Sequence, residues 1–292
     1  MQDFTELAVL GAGTMGAGIA QLAATRGLSV RVFDVAEPQL ARARVAIVSQ
    51  LERLAAKGKV EGDDAAVVMS RLLFVTRIAD ACAGVGAVIE AAPESMDLKV
   101  ELFREVIGAV GSQTLLASNT SSLSITELGR RVGEPARTVG LHFFNPPPVM
   151  PLLEVVRGVD TAPQTVDAAL ALARQLGKEP IVVRDFPGFA SSRLGVILGA
   201  EAIRMLEQGV ASVEDIDRAM KLGYRHPMGP LELTDLVGLD VRLAILEHLH
   251  RELGEQFRPP ALLRQMVRAG RLGKKSGLGF YRWTATGPVS AG

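Results

Sequence analysis

Residues 11–16 read Gly-Ala-Gly-Thr-Met-Gly, and their setting constrains the fold more than any other feature of the chain. Leu7 to Leu10, just before them, is a short apolar run that stops at glycine, as a buried strand does. Gly16 to Thr25, just after, is a small-residue stretch that reads as a helix ending at Gly27. The span Leu7 to Thr25 carries no charge and approaches membrane-spanning length, but Gly11, Gly13, Gly16 and Gly18 interrupt it. Strand, turn and helix account for it instead. Leu28 to Phe33 alternates apolar and polar residues and forms a second strand ending at Asp34, so a βαβ unit closes within about thirty residues.

A G-x-G-x-x-G turn between strand and helix is built for a pyrophosphate. Gly11 permits the tight turn, Gly13 lets the phosphates approach the backbone, and Gly16 allows the helix to pack closely on the strand. Thr14, Met15 and Gly16 then offer N–H groups at a helix N-terminus, where the dipole favours an anion. Asp34 can accept hydrogen bonds from both ribose hydroxyls, and its charge repels a 2′-phosphate, which favours NAD over NADP. The motif alone also fits a flavin dinucleotide. Arg31 reads as a solvated strand residue rather than a phosphate reader.

Further strands are expected at Leu73 to Thr76, Ala87 to Ala91, Leu115 to Ser118, Thr138 to Phe143, Leu152 to Val156 and Ile181 to Val183. Helices fit between them, from Pro38 to about Lys57, Leu98 to Val110 and Ala162 to Leu176. After Asp185-Phe186-Pro187-Gly188 the pattern changes: Leu194, Leu198, Ala202 and Met205 recur at helical spacing and no further strand is expected. Ser212 with Asp215, Pro230, Asp240, and Pro259-Pro260 are the expected starts of helices there. The fold class is therefore α/β: a Rossmann-type, mostly parallel sheet domain over residues 1–184, then an all-helical C-terminal domain over residues 185–292.

The 292 residues suit two domains of roughly 150 each. Thirty-two basic and thirty-two acidic residues cancel, so no global field attracts nucleic acid. Cys82 is the single cysteine, which excludes an intrachain disulfide and a cysteine metal cluster and suits a reducing compartment. Asp3 and Glu6 give the N-terminus the wrong charge for a leader, so the cytoplasm is the expected location and no membrane partner is expected.

Leu141 to Pro148, Leu-His-Phe-Phe-Asn-Pro-Pro-Pro, ends one strand in a rigid proline loop, and Leu152 to Val156 begins the next. Such a connection can bring His142 and Glu154 together. Oxidising a secondary alcohol needs a base for the hydroxyl proton, and an imidazole suits both directions; a carboxylate on its far nitrogen fixes the tautomer. From spacing alone, the two residues read equally as a structural pair or as unrelated. Ser118-Asn119-Thr120-Ser121-Ser122 follows a strand at the same sheet edge and offers hydroxyls there. Ser121 or Ser122 also reads as a helix cap.

Taken together, G-A-G-T-M-G, A-S-N-T-S-S, H-F-F-N-P, P-G-F and H-P-M-G-P-L-E-L-T-D-L-V-G-L-D strongly resemble the L-3-hydroxyacyl-CoA dehydrogenases, in order and over Leu7 to Tyr281. The resemblance is greatest to the bacterial 3-hydroxybutyryl-CoA dehydrogenases. It implies that His142 is the catalytic acid/base, Glu154 its orienting partner, and Ser121 and Asn145 the neighbours of the reacting carbon and nicotinamide. Glu94, Lys99 and Lys275 are implied as cofactor contacts. Ser192 stands where the family usually has asparagine against the substrate, and it loses the amide's reach and paired donor and acceptor.

Between Ala41 and Lys59, the cations Arg42, Arg44, Arg53, Lys57 and Lys59 face only Glu52. Arg53 and Lys57 share a helical face and read as a coenzyme A clamp or as an ordinary solvated surface; the resemblance implies the former. The implied reaction is reversible NAD-dependent oxidation of an acyl-CoA substrate, and the implied assembly a homodimer. Two other functions fit the same frame: a dehydrogenase of a free hydroxy acid such as a sugar acid, or a non-catalytic dinucleotide-binding structural protein.

Overall fold

The computed structural model describes residues 3–56 and 65–290. The chain divides into two units, Met1–Phe186 and Pro187–Gly292.

In the first unit eight strands form one sheet: β1 (Glu6–Leu10), β2 (Ser29–Phe33), β3 (Leu72–Val75), β4 (Ala87–Glu90), β5 (Leu115–Ser118), β6 (Thr138–Phe143), β7 (Leu152–Arg157) and β8 (Glu179–Arg184). Their order is β3-β2-β1-β4-β5-β6-β7-β8, parallel throughout except where β6 meets β7. From β1 the chain lays strands outward on both sides, and that reversal opens a crevice at the carboxyl ends of β1 and β4. The helices are α1 (Thr14–Thr25), α2 (Glu37–Ala56), α3 (Ala65–Ser70), α4 (Ile78–Cys82), α5 (Met96–Ala109), α6 (Ile125–Val132) and α7 (Pro163–Gln175).

The two-residue period of a strand explains why β1 is apolar throughout. Leu7 and Val9 join the core beneath α1, α2 and α7, while Ala8 and Leu10 face the core beneath α4, α5 and α6. Helix α6 begins at Ser124, whose hydroxyl accepts from Glu127 N, so neither Ser121 nor Ser122 is the cap.

The second unit contains α8 (Ser191–Glu207), α9 (Val213–Arg218), α10 (Pro230–Val237), α11 (Leu239–Leu253) and α12 (Ala261–Arg268) around one apolar cluster. Ser212 caps α9, and Pro230 opens α10, as expected. Asp240 does not cap α11: Gly238 holds that position, and Asp240 in the first turn pairs with Lys275 instead. The expectation of helices alone fails at the C-terminus, where β9 (Tyr281–Thr284) and β10 (Gly287–Ser290) form a short antiparallel hairpin. Buried acids from distant helices hold it. Asp235 accepts from Phe280 N, Tyr281 N and Trp283 Nε1, and Asp217 accepts from the Tyr281 hydroxyl. Burial pushes both carboxyls above the usual range for aspartate. Among the described residues, no helix is long and apolar enough to cross a membrane.

Candidate active site

The glycine turn has the geometry its sequence demands. Gly11 has φ +98°, and a Cβ there would lie 2.7 Å from Ala91 O. A Cβ on Gly16 would lie 1.8 Å from Gly11 O, so helix and strand approach as closely as only glycine permits. Gly13 has nothing within 4 Å of the corresponding position. Gly13 is also the N-cap of α1 and no side chain caps the helix, leaving the first-turn N–H groups of Thr14, Met15 and Gly16 to a ligand.

Asp34 lies just past β2, where its Oδ2 accepts from Ala12 N at 2.9 Å and its Oδ1 from Ala36 N at 3.0 Å. The open cradle, the uncapped N-terminus and the carboxylate beside them fit a dinucleotide without a 2′-phosphate. Arg31 is half-buried and committed elsewhere, to Glu6 at 3.1 Å and to the carbonyls of Asp80 and Ala83.

Beside the turn lies a charged network that the sequence disclosed only in part. Glu90 ends β4 fully buried, accepting from Lys99 Nζ at 2.7 Å, Ser118 Oγ at 2.6 Å and Ala92 N at 2.6 Å. Burial raises its pKa despite the Lys99 ammonium. Lys99, also buried, donates to Ala92 O at 3.3 Å and lies 3.5 Å from Glu94 Oε2. The ammonium thus donates two hydrogen bonds within the protein and pairs with a second carboxylate.

Glu94 in turn organises the serine loop. Its Oε1 accepts from Thr120 Oγ1 at 2.7 Å, from Ser121 N at 3.0 Å and Oγ at 3.3 Å, and from Ser122 N at 3.2 Å and Oγ at 3.0 Å. These donors, with Lys99, hold its carboxyl below the usual glutamate range against the opposing effect of burial. Asn119 links this loop to the next strand, because its Oδ1 accepts from Phe143 N at 2.9 Å. Glu90 was not identified from the sequence, where an acid ending an apolar strand is its one signal, and Ser118 and Asn119 stood out only as part of the hydroxyl-bearing stretch after β5.

His142 and Glu154 are direct partners in the antiparallel register of β6 and β7. Side chains opposite one another project to the same face, and His142 Nδ1 lies 2.7 Å from Glu154 Oε2. Glu154 is fully buried and His142 is 8% exposed. An ionised carboxylate is only an acceptor, so in the pair of Glu154 carboxylate and neutral imidazole Nδ1 carries the proton and Nε2 is the basic nitrogen. The Phe144 ring packs 4.8 Å from the imidazole, and Asn145 follows, exposed, ahead of a cis peptide bond to Pro146.

The remaining expected contacts are on other elements. On α2, Arg53 is exposed, Arg42 donates to Gln39 and Arg44 stacks over Phe74; Lys57 falls outside the described residues. In the second unit, Ser192 is half-buried in the first turn of α8, and Lys275 is exposed, 2.5 Å from Asp240 Oδ2.

The family model described as "3-hydroxyacyl-CoA dehydrogenase, NAD binding domain" matches residues 6–186, and that for the C-terminal domain of the same enzymes matches residues 188–283. The chain belongs to the 3-hydroxyacyl-CoA dehydrogenase family. It is thus an NAD-dependent oxidoreductase, and the fit of the glycine cradle and Asp34 to the dinucleotide agrees with that membership. The chain is 46% identical over 276 residues to a probable 3-hydroxybutyryl-CoA dehydrogenase of Deinococcus radiodurans, covering 94% of this chain and 99% of that one. It is 43% identical over 287 residues to a 3-hydroxyadipyl-CoA dehydrogenase of Escherichia coli, covering 98% of this chain and 60% of the relative. Among solved structures, the (S)-3-hydroxybutyryl-CoA dehydrogenase of Ralstonia eutropha aligns with a TM-score of 0.91 at 43% identity, covering 97% of this chain and all of that one.

Proposed function

We propose that this member of the family oxidises short (S)-3-hydroxyacyl-CoA thioesters, 3-hydroxybutyryl-CoA above all, to the 3-ketoacyl-CoA. The 2.7 Å pairing of His142 Nδ1 with buried Glu154 carries the proposal. Nε2 of His142 takes the hydroxyl proton of the substrate, and Glu154 stabilises the imidazolium that results. Bound NAD supplies the acceptor for the hydride that leaves the same carbon. In the reverse direction the imidazolium returns its proton to the oxygen.

Ser121 and Asn145 orient the reacting oxygen, the former on a loop that Glu94 fixes through several bonds. Glu94 and Lys99 lie beside the cofactor turn as expected contacts, with Lys99 also supporting Glu94 through their ion pair. Gly11, Gly13, Thr14, Met15, Gly16 and Asp34 hold the dinucleotide, with Lys275 as a further contact; Ser192, Arg53 and Lys57 serve the acyl-CoA. The reading extends to a cytoplasmic homodimer. Cys82 suits such a compartment: it is buried, and burial pushes its thiol up to about 11, outweighing the nearby Arg31 cation.

The test is NADH formation across acyl-CoA lengths, with free 3-hydroxybutyrate as control. Turnover is expected with 3-hydroxybutyryl-CoA and not with the free acid. Equal turnover of the free acid would move the substrate class to hydroxy acids; no turnover of any thioester would remove the proposal.

A further inference from the structure

The loop between β6 and β7 carries Asn145 and is short of donors, because Pro146, Pro147, Pro148 and Pro151 have no N–H. With few N–H groups of its own, it needs partners from outside for some of its carbonyls. Pro146 O accepts from Val149 N and Met150 N, both at 3.0 Å, and Pro151 O accepts from Glu179 N at 2.8 Å. Two more, Pro147 O and Met150 O, accept from a single group, the Lys178 ammonium, at 2.5 and 2.7 Å.

Lys178 is aimed there by the end of α7. Gly177, at φ +70°, donates to Arg174 O and Lys178 N donates to Ala173 O, the paired bonds of a Schellman cap. The side chain is 6% exposed. Burial and the Arg26 cation push its pKa down to about 8, so at neutral pH it remains mainly charged. The ring of Pro147 in turn rests on the cofactor helix: a Cβ on Gly18 of α1 would lie 2.7 Å from Pro147 Cδ.

We propose that Lys178 is a positioning residue for the dehydrogenase reaction, clamping the proline loop against α1 and so fixing the placement of Asn145 relative to the dinucleotide turn. This rests on the role given above to Asn145. An ammonium suits the task because one compact group donates to two carbonyls at once, and charge-assisted bonds outlast neutral ones. Burying a cation whose hydrogen bonds go to two loop carbonyls, where an apolar side chain would cost less, points to a positional role.

Two readouts test the clamp. Lys178→Met removes both donors, and Lys178→Gln keeps the bulk and part of the donor capacity. Counted per NAD-binding site, kcat is expected to fall on the order of ten- to hundredfold in Lys178→Met, with the NAD affinity nearly unchanged, because misplacing a positioning group is felt in the chemical step. Lys178→Gln is expected to fall between Lys178→Met and the wild type. A merely structural lysine would lower the melting temperature and leave kcat per site alone. Amide exchange at Val149 and Met150 reads the clamp without any substrate, and it is expected to accelerate in both variants. Wild-type kcat per site in the variants, or unaltered exchange at Val149 and Met150, overturns the proposal. A wild type inactive on every acyl-CoA would instead count against the functional reading, and the exchange experiment would still decide the clamp.

Discussion

Replacing His142 with alanine is expected to slow NADH formation from 3-hydroxybutyryl-CoA by about a hundredfold to ten-thousandfold, the range for loss of a positioned general base. That corresponds to about 3–5 kcal/mol of barrier. The effect should fall on kcat, because the proton is transferred only as the transition state forms. NAD binding should be nearly unaffected, since the dinucleotide turn lies on β1 and α1 while His142 lies on β6. Dinucleotide affinity measured by fluorescence titration separates the two quantities. A variant with near-normal kcat would remove His142 from the chemistry.

Lys99→Met should be the most damaging single change to stability in the network, at about 3–5 kcal/mol, the cost of removing one partner from a buried ion pair. It leaves Glu90 fully buried with only Ser118 Oγ and Ala92 N as donors. The pH dependence identifies the cause. The Glu90 carboxyl is already above its ordinary value in the folded protein, and losing the ammonium raises it further. For an acid shifted this way the folded state holds the proton more tightly than the unfolded chain. Stability is therefore greatest below the unfolded-state pKa and declines as pH rises toward the folded-state value. Urea denaturation should show a deficit that is smaller near pH 5 than near pH 8. A deficit independent of pH would mean that lost packing, not the stranded carboxylate, is responsible. Glu94 also loses its cation in this variant, so the serine loop that Glu94 organises should loosen and kcat should fall with stability.

The parts of this design that depend on short-range periodicity were legible in the sequence. The glycine turn, the bounds of β5 and β6 and the placement of Asp34 follow from local pattern. The opposition of His142 and Glu154 follows almost as directly, because one loop between two recognisable strands leaves few registers. The Ser124 cap was within reach: Ser124 and Glu127 have capping-box spacing, but three nearby serines competed for the position and only the backbone path decides among them.

What escaped detection depends on partners far apart in the chain. Glu90 gains its meaning from Ser118, 28 positions away, and Lys178 from Pro147, 31 positions away. The C-terminal hairpin has only four residues in each strand, too few to signal itself, and is held by Asp217, 64 positions before Tyr281.

The central claim is that His142 and Glu154 act as one unit, and a double-mutant cycle on the hydride-transfer rate tests it most directly. Single-turnover NADH formation would be measured for the wild type, His142→Ala, Glu154→Gln and the double variant. The predicted result is a large loss for each single variant and a double variant scarcely slower than His142→Ala alone, because Glu154 has no imidazole left to orient. Losses that multiply, or a Glu154→Gln variant as fast as the wild type, would contradict it.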